Sequence, residues 1–285
     1  MKNNIIIKIS LLLMTSLVIG SCSKEEESSL KAVFSYVPDG FKVSFTNFST
    51  GAKTYLWDFN DGSEGSTLKN PVHIFTATGE YTVKLTAYVG EEESVFEDIV
   101  VILGPNIKID GDFSDWEYVV YSFENETDKG GTLRAVKTFA YGNSINFYFE
   151  GTSDMTFTVF DMFINSDNDP ETGFLSWQWP AGSGADYLLE GSPADGWGSV
   201  YIQTDPAGHG WSWDEVATFD NACKFSAVKT AGEGNAIEFS IDKTKLGTVS
   251  GYITFSISEL NESWEAVGSL PAKEEPTSAF LSVKL

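Results

Sequence analysis

The sequence predicts an all-β protein made of two domains in tandem, which the resemblances given below make two β-sandwich domains. Three observations carry this. Apolar and polar residues alternate with period two in many short runs, as in "FKVSFTNFST", "GEYTVKLTAYVG", "INFYFEG" and "AIEFSID". The composition is rich in glycine and aromatics, with turn residues between the runs and no helix-rich stretch. A Gly-Pro break at Leu103 to Asn106 then divides a chain of 285 residues into parts of domain size.

Residues 1–21 read as a secretory signal, with Lys2 and Lys8 ahead of the apolar run "ISLLLMTSLVIG". The run is too short for a membrane span. Its end, "VIGSC", resembles a bacterial lipobox, which implies lipidation at Cys22. Residues 22–30, with "SKEEESS", form an acidic tether similar to surface-export signals of glycan-harvesting Gram-negative bacteria. The expected location is the outer membrane, lipid-anchored and facing outward, with acyl chains as the only membrane contact.

The first domain is expected over residues 31–104. Val43 and Phe45, then Tyr81, Val83 and Leu85, fall on the inward positions of their strands. Trp57 fills the core, Asp58, Asp61 and Gly62 shape a turn, and His73 beside Pro71 is structural. "WDFNDGS", "PVHIF" and "GEYTVKLTA" resemble the polycystic-kidney-disease (PKD) domain, a small immunoglobulin-like sandwich. Asn60 stands where that family usually has glycine. The resemblance implies a spacer.

The second domain is expected over residues 105–285. Strands are read in "INFYFEG", "FTVFDMFIN", "SVYIQTD", "AIEFSID", "YITFSIS" and "AFLSVKL", with one brief helical turn at "DKTKLG". "IDGDFSDW", "TFAYGNSINFYFEG", "DMFINSDNDPETGF", "GADYLLEG" and "IEFSIDKTKLG" follow one another as in β-sandwiches similar to family 9 carbohydrate-binding modules. That resemblance implies a two-sheet sandwich, commonly with calcium and often with a saccharide ligand.

Function is expected between Phe160 and Trp213, which holds five of the eight tryptophans. Trp177/Trp179 and Trp211/Trp213 are spaced i,i+2, so each pair shares a face if extended, and Trp197 lies between them. Their neighbours are Gly, Ser, Pro, Gln and Asp rather than aliphatics, which is loop chemistry. All five are candidate ligand-binding residues, as flat apolar platforms for sugar rings. The alternative is that such tryptophans are core.

Asp167 and Asp169 sit in a carboxylate-rich turn, and with Asp186 they could present oxygens to a hard cation. This is no EF-hand, because the sixth and twelfth positions from Asp167 are Thr172 and Gln178. Calcium is the expected metal on the strength of the resemblance, as a structural brace. An ordinary Asx-rich turn is the alternative. No cysteine or histidine cluster suits zinc.

A formal net charge of −23 repels phosphate backbones, so nucleic acid is an unexpected partner. Cys223 reads as a small apolar residue and no disulfide framework follows. His209 has no evident nucleophile partner, no G-x-S-x-G elbow occurs, and no carboxylate pair is singled out for catalysis. The expectation is a non-catalytic surface lipoprotein that captures a polysaccharide, a neutral β-glucan by preference, beside an outer-membrane glycan importer and its companion binding lipoprotein. A glycan hydrolase or lyase, or an adhesin for a host or cell-surface protein, are the alternatives.

Overall fold

The computed structural model describes residues 29–249 and 251–285. The proposed signal and Cys22 lie outside the described residues, as does nearly all of the tether. The described chain is all-β, as the alternation predicts.

Six strands make the first sandwich: β1 (Phe34–Asp39), β2 (Lys42–Asn47), β3 (Thr54–Asp58), β4 (Val72–Ile74), β5 (Gly79–Val89) and β6 (Glu92–Ile102). One sheet runs β1-β2-β4 and the other β3-β5-β6. Val43, Phe45, Trp57, Val83 and Leu85 are buried between them. Trp57 is the central plug, and its indole N–H donates to Leu68 O at 2.9 Å, so the one polar atom of a buried ring is satisfied. Asn60 adopts φ 55°, a left-handed geometry that asparagine tolerates better than most residues. His73 lies flat on Phe59, ring centroids 3.8 Å apart, with Nε2 2.7 Å from Asp61 Oδ2.

Thirteen further strands follow in the described chain: β7 (Phe123–Glu124), β8 (Leu133–Tyr141), β9 (Ser144–Gly151), β10 (Val159–Asn165), β11 (Tyr187–Ser192), β12 (Trp197–Gln203), β13 (Trp213–Thr218), β14 (Cys223–Phe225), β15 (Lys229–Ala231), β16 (Gly234–Asp242), β17 (Tyr252–Leu260), β18 (Ala266–Leu270) and β19 (Leu281–Lys284). One sheet runs β14-β16-β9-β8-β7, with β15 also on β16; the other runs β13-β12-β11-β10-β17-β18, with β19 also on β17. The helical turn read in "DKTKLG" is a 3₁₀ turn, Lys243–Lys245, capped by the Asp242 carboxylate. Two further short helices, a 3₁₀ turn at Phe113–Trp116 and α1 (Phe219–Ala222), carry no such signal in the sequence.

Period two divides the residues of each strand between two faces. Phe147, Phe149, Ile237 and Phe239 from one sheet meet Phe160, Met162, Ile164, Leu189 and Phe255 from the other in the main core. The residues between them point to the two outer faces. On the six-stranded sheet these include Phe139, Tyr148, Ala236 and Glu238. Phe139, Tyr148 and Ala236 share one apolar cluster with Phe41 and Ile102 of the first domain. The rings of Phe41 and Phe139 meet edge-on at 5.8 Å, and Lys42 Nζ donates to Tyr118 OH at 3.2 Å. The first domain is therefore docked on the back of the second.

A buried carboxylate completes this side. Glu238 accepts from Asp110 N at 2.9 Å, Gly111 N at 2.6 Å and Trp116 Nε1 at 2.8 Å. A charge without solvent is tolerable only with such donors. This gives "IDGDFSDW" its role: its glycine and tryptophan are held on the sheet by one carboxylate, and Trp116 is core, as the sequence suggested.

Candidate functional site

The outer face of the seven-stranded sheet points away from the first domain, and the tryptophan window falls on it. Registers place its side chains in successive rows across β17, β10, β11 and β12. Leu260, Val159, Ser192 and Trp197 make the first row; Ser258, Asp161, Glu190 and Ser199 the second; Ser256, Phe163, Leu188 and Tyr201 the third. Rows lie two residues apart, about 7 Å. The face thus changes from aromatic to acidic to apolar along its strands.

The third row is roofed. The segment between β10 and β11 folds over it, and Trp179, Ala185, Phe163 and Leu188 form a small core packed by Phe174, Tyr201, Trp213 and Phe280. This corrects the expectation for Trp179, which is fully buried and donates through Nε1 to Pro271 O at 3.1 Å. Trp213 is partly buried in the same cluster. The i,i+2 spacing of Trp177/Trp179 belongs to a turn rather than a strand, so the two indoles part: Trp179 enters the core while Trp177 is 70% exposed. Trp211 is 59% exposed and stands edge-on to Phe174 at 5.3 Å and to Trp213 at 5.8 Å.

The opposite end of the face is open. Trp197 ends the β11–β12 hairpin, 42% exposed, and its ring lies 6.1 Å from that of Trp264, 53% exposed, in the β17–β18 turn. Asn261 shapes that turn by accepting from Ser263 N and Glu265 N at 2.9 and 3.0 Å. It holds Trp264 at φ 63°, a conformation that costs a bulky residue of order 1–3 kcal/mol. Trp264, in "NESWEAVG", ranks below Trp197 on sequence alone and is not among the five candidate tryptophans.

Next to these rings, Asp161 and Glu190 face each other directly across β10 and β11. Burial, then the charge of Glu190, pushes the Asp161 carboxyl up to about 7. Burial raises Glu190 as well. Two carboxyls this close do not both ionise readily, and the pair keeps a proton near neutrality. Ser199, beside Glu190, donates to Glu215 Oε2 at 2.8 Å. Nothing in the linear sequence marks Asp161 or Glu190, since only cross-strand register brings them together.

The acidic turn lies at the other end of the sheet. Asp186 Oδ2 accepts from Ser166 N, Ser166 Oγ and Asp167 N at 2.7, 2.9 and 3.2 Å. Burial raises its pKa against the hydrogen bonds from Ser166, and the charge of Asp167 adds to the rise. Asp167 Oδ1 accepts from Asp169 N at 2.8 Å, and Asp169 Oδ1 from Glu171 N at 3.0 Å. These are Asx-turn bonds. Asp167 and Asp186 border an open cavity of about 380 Å³ with Thr172 and Gln203. Among the described residues no group of three or more His, Cys, Asp or Glu side chains is arranged to hold a metal ion. His209 has φ 57° and its Nδ1 lies 3.0 Å from Gly173 O, which ties the β12–β13 connection to this turn. Cys223 packs against the main core, and burial pushes its thiol up to about 12.

Comparison with solved structures gives several similarities, three of which follow. A structure of carbohydrate-binding modules from the β-sandwich superfamily, described for promiscuous specificity, is 13% identical and covers 80% of this chain and 94% of its own, with a TM-score of 0.25. The PKD1 domain of Vibrio anguillarum Epp is 28% identical over 27% of this chain and 95% of its own, with a TM-score of 0.26. The PKD1 domain of the Vibrio cholerae metalloprotease PrtV is 27% identical over 26% of this chain and 95% of its own, with a TM-score of 0.25. The family model of the PKD domain matches residues 35–100, so the first sandwich carries the PKD pattern that "WDFNDGS" and "GEYTVKLTA" suggested.

Proposed function

We propose that this protein is a non-catalytic polysaccharide-binding lipoprotein of the cell surface, and that the outer face of its seven-stranded sheet is the binding surface. One observation carries the reading: exposed tryptophans stand at both ends of a single sheet face, on the side opposite the first domain. An extended chain could stack on Trp197 and Trp264 at one end and on Trp211 at the other. Burying about 100 Å² of a sugar's C–H surface on one indole is worth about 2.5 kcal/mol, while association costs at least about 4 kcal/mol. Binding therefore needs more than one ring, which a multi-tryptophan face supplies. A neutral β-glucan is the proposed ligand, since flat separated platforms suit a linear chain and the acidic protein disfavours an acidic one.

Anchoring through Cys22, outward display and partnership with a glycan importer and its companion lipoprotein belong to the same proposal. They rest on the amino-terminal sequence pattern. The non-catalytic reading draws support from Asp161 and Glu190, whose side chains are within hydrogen-bonding reach of each other. Glycoside hydrolysis uses carboxyls about 5–9 Å apart on either side of a bond. Calcium at Asp167, Asp169 and Asp186 is a separate proposal, and the carboxylates of this turn are engaged in backbone hydrogen bonds.

Affinity electrophoresis through gels containing neutral polysaccharides tests the reading. Retardation by at least one β-glucan, lost in a Trp197→Ala/Trp264→Ala/Trp211→Ala variant and without release of reducing ends, is expected. Retardation by none, or chain cleavage, would overturn it.

A further inference from the structure

We propose that Asp161, Glu190 and Ser258 form the polar floor of the sugar site, where two neighbouring hydroxyls of one ring donate hydrogen bonds to the facing carboxyls beside the Trp197 and Trp264 platform. The inference rests on the glycan reading above and adds the chemistry of the contact. Asp161 is flanked in register by Glu190 on one side and Ser258 on the other, all three on the outer face. Trp197 lies on the same face in the adjacent row. Ser258 is 3% exposed, and its Oγ has no hydrogen-bond partner. A buried polar atom left unpaired is costly, and one set beside a carboxyl pair on an outer sheet face points to a ligand that completes it. Asp161 and Glu190 are each only partly buried, so it is the carboxyls, with Ser258 beneath them, that a ligand would meet.

The proton that the carboxyls retain in the free protein supports this assignment. Asp161 titrates near 7 because burial and Glu190 oppose its ionisation. The other groups facing the pair add little relief: Ser256 and Ser258 on β17 and Ser199 on β12 are neutral, Tyr201 is one row away on β12, and Glu215 on β13 is engaged with Ser199. Hydroxyl donors from a diol stabilise the ionised pair and take over the work of the shared proton. The exchange balances: a singly protonated pair and a diol give a diol-bound dianion, and the proton passes to buffer. Binding then strengthens as pH rises through 7, and levels off above it.

The test is calorimetric titration of the full chain with a soluble neutral β-glucan oligosaccharide at pH 6 and pH 8, each in two buffers of different ionisation enthalpy. Affinity about tenfold higher at pH 8 is expected, with proton release near pH 7. Asp161→Asn and Glu190→Gln should each weaken binding by about tenfold and abolish the pH dependence. Ser258→Ala, the mildest change, should weaken binding several-fold and keep the pH dependence. Binding that Trp197→Ala weakens, but that is pH-independent and unchanged in all three floor variants, overturns the floor and leaves the platform standing. Retention of chitosan with no neutral glycan bound overturns the diol assignment in favour of an ammonium group. Absence of any glycan binding overturns the inference together with the reading beneath it.

Discussion

Trp197 and Trp264 bring their rings to 6.1 Å from hairpins on either side of β10. Neither lies in an apolar cluster of the fold, and one of them is held in a left-handed backbone conformation. A contact that costs conformational energy without burying a core is expected to serve a ligand.

Removal of either ring therefore separates binding from stability. Trp197→Ala and Trp264→Ala should each weaken polysaccharide retention by about tenfold, while thermal stability changes by less than about 1 kcal/mol. Trp179→Ala should do the opposite, destabilising by about 3–5 kcal/mol through loss of a buried indole. Affinity electrophoresis alongside differential scanning calorimetry checks all three.

The facing carboxyls also give stability a pH signature. The folded pKa of Asp161 lies above the ordinary carboxyl value, at about 7. The folded state therefore holds more protons than the unfolded one between about pH 4 and 7, and stability from this group falls as pH rises through that window. Asp161→Asn should remove the fall, flattening the pH 5 to pH 8 stability difference by roughly 2–4 kcal/mol. Urea titrations of both proteins at the two pH values measure it.

The junction between the sandwiches is equally testable. Gly104 has φ 79°, and a Cβ there would run into the Phe139 ring. Gly104→Ala should cost about 1–3 kcal/mol and loosen the domain pairing. A lower melting temperature and a larger radius of gyration in small-angle scattering would show both effects.

Calcium at the acidic turn has a direct measurement. Bound at Asp167 and Asp186 at one hundred times its dissociation constant, the ion would add about 2.7 kcal/mol. A melting temperature that drops with chelator, and that drops no further in Asp186→Asn, is the expected outcome of that proposal. Identical melting with and without chelator refutes it.

Much of the fold was legible because alternation, turn residues and the Trp57 motif report local geometry. Val43, Phe45, Val83 and Leu85 are buried where period two put them. The site was legible only in part. Loop composition identified Trp177 and Trp211 as exposed, but the same composition surrounds Trp179, whose fate is decided by how its turn folds back on Phe163. Asp161 and Glu190 escaped notice because strand pairing, a long-range property, sets them face to face. Trp264 was passed over because its partner Trp197 belongs to another hairpin.

The apolar seam between Phe41 and Phe139 has a mechanical consequence. With both sandwiches sharing it, a pull on a chain held as proposed would pass into the first domain as load on a stiff post, and the sheet would keep its bearing instead of swivelling.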